Sequence, residues 1–384
     1  MSAAALRPLL LSALLAWAGA ATAVLAAPVD EIRAVLAREL VDPPDAQALA
    51  RLAAADPAAQ GARADASDAF AAALQAIDRH ARHFAAAAYR APQLGAEARS
   101  GIGARLLPQD GRVLLDVFQG GPADRAGIPD GARLLAIDGV ELAGATADEV
   151  AARLRGEEGS RLRIAYAGAD GRRRTATLER ARYTPVEVEL LQRGHLPVLR
   201  VRDFVGSITR PAVLATVAHL GRSEGGGEPA ALVIDLRSAP GGDLYEAFDL
   251  AAAFLPEGTL LGSLRSRAAP PREVRAPGGA KLDVALALLV GPDTASAAEV
   301  FAGVLQAHGR AVLIGGRSYG KCSSQTDTRL ADGSVLRFTN LEVLLPGGQS
   351  CSQRGLSPDV EVDAATLPRL PELLRHARAR LAAG

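Results

Sequence analysis

The sequence predicts an α/β protein in three parts, and three observations carry that prediction. Residues 27–98 read as helices. Residues 99–182 read as short strands punctuated by glycine. Residues 183–384 alternate strands and helices, and among them Ala231-Leu232-Val233-Ile234-Asp235-Leu236 is a nearly unbroken apolar run of the kind buried on both faces of a parallel sheet. At 384 residues the chain exceeds the size at which one core usually stops growing, so division into domains is expected.

Ahead of the helices, Met1 to Arg7 carries one positive charge, and an uncharged run rich in Leu and Ala spans Pro8 to Val29. Small residues follow at Ala21-Thr22-Ala23 and Val24-Leu25-Ala26. This is the pattern of an export signal over residues 1–26, with cleavage near Ala26. An uncleaved anchor is the alternative, because the run approaches bilayer length, and it would be the chain's only membrane contact. Export implies a periplasmic or secreted protein in an oxidising compartment, where the two cysteines, Cys322 and Cys351, can pair. A disulfide is the expectation, closing a loop worth about 3 to 4 kcal/mol in the chain-entropy account. Two buried free thiols are the other reading.

In the helical region, Ser67-Asp68-Ala69-Phe70 opens a segment predicted to stay helical through Leu74, Ile77, Phe84 and Tyr89. His80 and His83 lie three apart on it, a spacing that suits a metal pair. No third ligand accompanies them, so a helix surface is the better reading and neither metal nor cofactor is expected. Charges balance at 43 of each sign and only 4% of residues are aromatic. That argues against the basic field and stacking platforms of a nucleic-acid binder.

From Gly101 the texture becomes β. Arg112 to Phe118 and Ala132 to Ile137 read as strands, and Asp138-Gly139 as a turn. Thr146-Ala147-Asp148-Glu149 reads as a capping box opening a helix through Leu154. Leu162 to Tyr166 is a further strand, returning across Asp170-Gly171. With Gly101-Ile102-Gly103-Ala104, Gly121-Pro122-Ala123-Asp124-Arg125-Ala126-Gly127-Ile128 and Asp130-Gly131 in this order, the segment resembles a PDZ domain. The resemblance implies that Gly101, Ile102, Gly103 and Ala104 capture a terminal carboxylate with backbone N–H groups while the peptide adds to the sheet edge. The implied partner is a protein or peptide with an exposed C-terminus.

In the last part, Pro197 to Val201, Ala285 to Val290 and Ala311 to Ile314 read as strands and Ala212 to Leu220 as a helix. Lys321 stands out because it is one of two lysines among 43 basic residues. Arginine cannot lose its proton in a protein; a lysine kept neutral by burial can act as a base. A solvated surface lysine is the bland alternative. Ser296, in Gly291-Pro292-Asp293-Thr294-Ala295-Ser296-Ala297, is placed at a helix N-terminus after a strand, where the dipole favours developing negative charge. It could equally be an ordinary N-cap. Pro240-Gly241-Gly242 after the run 231–236 permits close backbone approach to a substrate carbonyl, or is a plain turn.

Together these segments, with Gly309 to Gly315, Tyr319-Gly320-Lys321, Gln325 and Gly355-Leu356-Ser357-Pro358-Asp359-Val360, resemble the carboxyl-terminal processing (tail-specific) proteases. The resemblance implies an α/β, ClpP/crotonase-like protease core over 183–384 with an inserted PDZ domain over 99–182. It implies a serine endopeptidase with Ser296 as nucleophile, Lys321 as base and Gln325 orienting the amine. The N–H groups of Ala297 and of Gly241 or Gly242 would form the oxyanion hole. Val312 and Ile314 are expected to wall the lysine. Two departures stand out: Ala298 where the family commonly has serine, and Cys322 where it commonly has glycine.

Competing assignments are weaker. Ser318-Tyr319-Gly320-Lys321 has S-x-x-K spacing, but Gly320 suits a helix poorly and no K-T-G follows. His195, His219 and His308 carry no triad motif, and His308 before Gly309 reads as a helix C-terminus. A catalytically silent, PDZ-bearing scaffold is the alternative function.

Overall fold

Apolar residues at helical spacing build the first unit. In the computed structural model, which describes residues 28–57, 66–89, 99–109, 111–193, 196–223, 231–279 and 281–362, residues 1–26, expected as an export signal, and His195 fall outside the described residues. Helix α1 (Pro28–Glu39) buries Val29, Ile32, Val35 and Leu36, one face at i, i+3 and i+7. It packs with α2 (Ala46–Ala54) and α3 (Ala66–Ile77), and α2 is capped by Asp45, which accepts from the Ala48 N–H. The helix predicted to continue past Ile77 stops there. His80 lies in a turn, and Arg82–Phe84 is a short strand, β1, carrying His83. The two histidines therefore share no helix face.

The middle module holds β2 (Arg99–Gly101), β3 (Ala104–Gln109), β4 (Arg112–Val117), α4 (Pro122–Arg125), β5 (Ala132–Ile137), β6 (Val140–Glu141), α5 (Ala147–Leu154), β7 (Arg161–Ala167), β8 (Arg173–Glu179) and β9 (Ala181–Tyr183). Its main sheet has the order β3-β4-β5-β7-β8, with β6 on β5, and β2 pairs with β9 where the module leaves and rejoins the chain. The predicted capping box opens α5: Glu149 accepts from the Thr146 N–H at 2.8 Å, and Thr146 Oγ1 accepts from the Glu149 N–H at 3.3 Å.

The last part comprises β10 (Val188–Arg193), β11 (Leu196–Val201), α6 (Thr209–Ser223), β12 (Ala231–Asp235), α7 (Leu244–Ala252), β13 (Leu260–Arg265), β14 (Arg272–Arg275), β15 (Ala285–Val290), α8 (Ala297–Ala307), β16 (Ala311–Gly315), β17 (Ser323–Arg329), β18 (Val335–Leu344) and β19 (Val360–Glu361). Strands β11, β12, β15, β16 and β19 run parallel, with β10 antiparallel on the edge. Period-two alternation divides their side chains between two buried faces. Leu232, Ile234, Leu286, Leu288 and Leu313 join the large core that includes residues of α7 and α8. Val233, Ala287, Leu289, Val312 and Ile314 form the smaller core on the other face.

A second sheet, β1-β18-β13-β14 with β17 also on β18, stands over the helices. The first unit is stitched into it. Arg82, His83 and Phe84 pair with Arg337, Leu336 and Val335 of β18, and Leu330, Leu336 and Phe338 complete the core around α1 to α3. The middle module is therefore an insertion between two pieces of one body. Among the described residues no helix is long and apolar enough to cross a membrane.

Candidate active site

Three loops converge beside the N-terminus of α8, and hydrogen bonds fix them to one another. Thr294, fully buried, donates its hydroxyl to the Leu236 carbonyl at 2.8 Å, and the Ala295 N–H donates to the Ala239 carbonyl at 3.0 Å. The Tyr319 N–H donates to the Thr294 carbonyl at 3.0 Å. Loop 236–242, turn 291–296 and segment 318–322 thus become neighbours.

Ser296 sits at the start of α8 with φ 57° and ψ −122°, a conformation rare outside glycine. An ordinary N-cap has an extended backbone and uses its hydroxyl on the first turn. Here φ is positive instead, and Glu299 reaches back to accept from the Ser296 N–H at 3.0 Å. The glycine pair is required by contact as well as conformation. A Cβ on Gly241 would lie 2.6 Å from Ser296 Cβ and 2.9 Å from the Ala297 nitrogen, and one on Gly242 would lie 2.2 Å from the Phe204 carbonyl oxygen. Phe204 bonds the segment on that side through the Gly241 carbonyl and the Asp243 N–H, which leaves the Gly242 N–H outside the exchange. The Ala297 N–H is a first-turn donor with no partner inside its helix.

Ser296, Ala297, Gly242, Lys321 and Gln325 line one cleft of about 660 Å³, walled on its apolar side by Val300, Leu341 and Val343. The expected walls, Val312 and Ile314, point to the opposite face of the central sheet, because alternation along β16 turns Ala311 and Leu313 toward α8. Burial, then the charge of Arg337, lowers the pKa of Lys321 from its usual value, and Asp78 and Glu299 oppose that. Lys321 forms no ion pair and no hydrogen bond to Ser296 among the described residues. Gln325 follows a bulge between Ser324 and Gln325 and donates its amide NH2 to the hydroxyls of Ser323 and Thr339, both at 3.2 Å. Its carbonyl oxygen takes part in no hydrogen bond among the described residues.

Glu299 was not among the expected site residues, and it holds the assembly together. Fully buried, it accepts from the Ser296 N–H, the Ser318 hydroxyl, the Gly320 N–H at 2.8 Å and the Lys321 N–H at 2.7 Å. Ser318 is thus committed to Glu299, and the stretch 318–321 is not helical, which removes the S-x-x-K alternative. His308 caps the far end of α8, away from Ser296, with Nε2 2.7 Å from the Leu260 carbonyl. His219 lies on α6. Cys322 and Cys351 form a disulfide with Cα atoms 5.2 Å apart, covalently holding the residue after Lys321. Ala298 is buried in the main core.

In the middle module, Gly101-Ile102-Gly103-Ala104 leads into β3, whose outer edge pairs with no other strand among the described residues and lies beside α5. Gly103 has φ 71°, and a Cβ there would lie 2.6 Å from Pro122 Cδ, so the loop packs against α4 only as glycine. Arg105 of β3 donates to the carbonyls of Arg202 and Ser238 at 3.2 and 2.9 Å, joining this module to the loop that carries Gly241. Arg202 is ion-paired with Asp116 of β4.

Residues 198–362 match Peptidase family S41, and residues 114–167 match the PDZ domain. The chain carries an S41 peptidase domain and a PDZ domain. The "Probable CtpA-like serine protease" of Staphylococcus aureus is 28% identical over 270 residues, 68% of this chain and 52% of the relative. That of Staphylococcus haemolyticus is 26% identical over 267 residues, with the same coverage. The chain spans about half the length of these curated relatives. Among solved structures, the Photosystem II D1 C-terminal processing protease is 26% identical with a TM-score of 0.62, covering 90% of this chain and 95% of that one. Mature CPAF complexed with lactacystin shares the fold at 11% identity and a TM-score of 0.56, covering 93% of this chain and 98% of that one. The S41 match takes in Ser296, Lys321, Gln325 and the glycine pair, and the PDZ match begins after the glycine loop 101–104.

The signal for Glu299 was present in the sequence: it stands three residues after Ser296, the spacing of a capping box. Its other three donors come from 318–321, and no local pattern announces them.

Proposed function

We propose that the chain is an exported serine endopeptidase of the C-terminal processing type, with Ser296 as nucleophile and Lys321 as general base. One observation carries the reading. The Ser296 hydroxyl, at the positive end of α8, shares a cleft with an amine that burial pushes toward neutrality. The neutral amine takes the hydroxyl proton as Ser296 Oγ attacks the scissile carbonyl. The oxyanion accepts from the Ala297 N–H and from Gly241 or Gly242, and the lysine ammonium then protonates the departing amine. Water, activated by the same lysine, hydrolyses the acyl-enzyme. Gln325, through its carbonyl oxygen, orients the amine without adding a negative charge that would raise its pKa.

The PDZ domain binds substrate C-termini in this reading, the chain adding along β3 and its carboxylate meeting the N–H groups of residues 101–104. Substrates are proteins or peptides with exposed C-termini. The charged and apolar pattern of residues 1–26 supports export to the periplasm or beyond, and the buried disulfide suits that compartment.

The test is cleavage of an unstructured peptide with a free C-terminus. Ser296→Ala and Lys321→Arg are each expected to lower kcat/KM by at least about 10³-fold, the arginine because it stays protonated. Wild-type kcat/KM is expected to rise with pH through the lysine pKa, on a limb below the usual value of about 10.4. Equal cleavage by wild type and Ser296→Ala would sink the enzyme reading.

A further inference from the structure

Gln325 is held by a group from the other end of the chain. Asp78, buried in the turn between α3 and β1, accepts from the Thr339 N–H at 2.6 Å, the Thr339 hydroxyl at 3.1 Å and the His80 N–H at 2.9 Å. The Thr339 hydroxyl oxygen in turn accepts from Gln325 Nε2 at 3.2 Å. Chemistry sets the direction of this series. A carboxylate only accepts, so the one hydroxyl hydrogen of Thr339 goes to Asp78, and its oxygen is left to accept. Gln325 must then present NH2 to Thr339, and its carbonyl oxygen remains.

We propose that Asp78 is a positioning residue for the reaction: through the Thr339 hydroxyl it fixes Gln325 with the carbonyl oxygen, rather than the NH2 group, available to the Lys321 amine. The inference rests on the Ser296–Lys321 reading above. Without Asp78 the threonine hydroxyl is able to donate to Gln325, and the amide is able to turn over. An NH2 group facing the lysine gives the amine no acceptor and opposes the ammonium formed during attack. The helical first unit is in this way part of the active site and not only a flank to it. The groups bearing on Lys321 are Asp78 from the turn, Glu299 from α8, Arg337 from β18 and His80, whose own pKa is lowered to about 4 by burial and by Lys321.

Three variants test this on the full chain. Thr339→Val removes the hydroxyl and keeps the shape, Thr339→Ser keeps the hydroxyl, and Asp78→Asn keeps the size while permitting donation. With melting temperatures measured alongside, Thr339→Val and Asp78→Asn are expected to lower kcat about tenfold with KM unchanged, while Thr339→Ser restores it. Asp78→Asn is also expected to move the acidic limb of the pH profile to lower pH, because a negative charge near Lys321 is gone. A role in folding alone would lower the melting temperature and leave kcat intact in the folded protein. Folded variants with kcat within about twofold of wild type would overturn the inference, and if Asp78→Asn does not fold, the Thr339 pair decides. A wild type whose cleavage does not depend on Ser296 overturns the underlying reading, and this one with it.

Discussion

Glu299 illustrates what one buried side chain can organise. It forms no ion pair among the described residues, so its stability rests on four donors, three of them backbone or hydroxyl groups of 318–321. Truncation leaves those donors unsatisfied, which is more costly than losing four contacts in water. Glu299→Ala is expected to lower the unfolding free energy by about 3 kcal/mol or more, and Glu299→Gln by about 1 to 2, as read by urea titration. An unchanged midpoint in Glu299→Ala would show that the donors find other partners. At this scale the sequence was legible where chemistry is local. Ser296 at a helix start, the glycine pair and the lone lysine of its stretch each carry a reason in their neighbours. Asp78 does not, because its partner Thr339 lies 261 residues away.

At the scale of elements, the start of β17 is fixed from several sides. Cys322 is bonded to Cys351, its carbonyl accepts from the Val343 N–H at 2.8 Å, and Gly320 packs where a Cβ would come within 2.9 Å of the Gly355 nitrogen. Both sulfurs are tied up in the disulfide and buried, so a thiol reagent is expected to label neither cysteine in the native protein and both after unfolding with reductant. A Cys322→Ser, Cys351→Ser double variant is expected to lose about 3 to 4 kcal/mol of stability, seen as a lower denaturation midpoint. An equal midpoint would show that the hydrogen bonds alone hold the strand. Elements with a clear period were readable in advance: β4, β5, β12, β15 and α5 fall where alternation, apolar runs and the capping box put them. The strand β1 was not, since three residues are too few for a period and the alanine-rich sequence around them reads as helix. The lysine's walls were misassigned for a related reason. Val312 and Ile314 are apolar and nearby in sequence, but parity along β16, invisible without knowing which face α8 covers, turns them away.

At the scale of the whole molecule, the joint between the PDZ domain and the peptidase domain is unusually charged. Glu187 is 4% exposed, and neither of its carboxyl oxygens has a hydrogen-bond partner among the described residues. Burial and then Asp203 raise its pKa, against Arg99 and Arg105. A carboxyl whose folded pKa is raised stabilises the fold below its unfolded pKa, and that contribution is lost as pH rises through the folded value. Glu187→Gln is therefore expected to raise the melting temperature at pH 8, with the gain fading as pH falls toward about 4, where the wild-type group is neutral too. A gain independent of pH would point to packing instead. The change from helix to glycine-punctuated strands near Gly101 was legible from texture, but the joint was not, because it is made of side chains from segments that only the fold brings together.

The pairing of β1 with β18 also sets an order of events. The turn that holds Thr339 is made early in synthesis and its partner strand late, with the whole PDZ domain threaded between them. Such distant pairing makes closure slow, since the intervening loop must be confined before any contact repays it. A chain still emerging from a ribosome carries every residue of the PDZ domain well before it carries the strand that completes the cleft, so the first can be assembled ahead of the second.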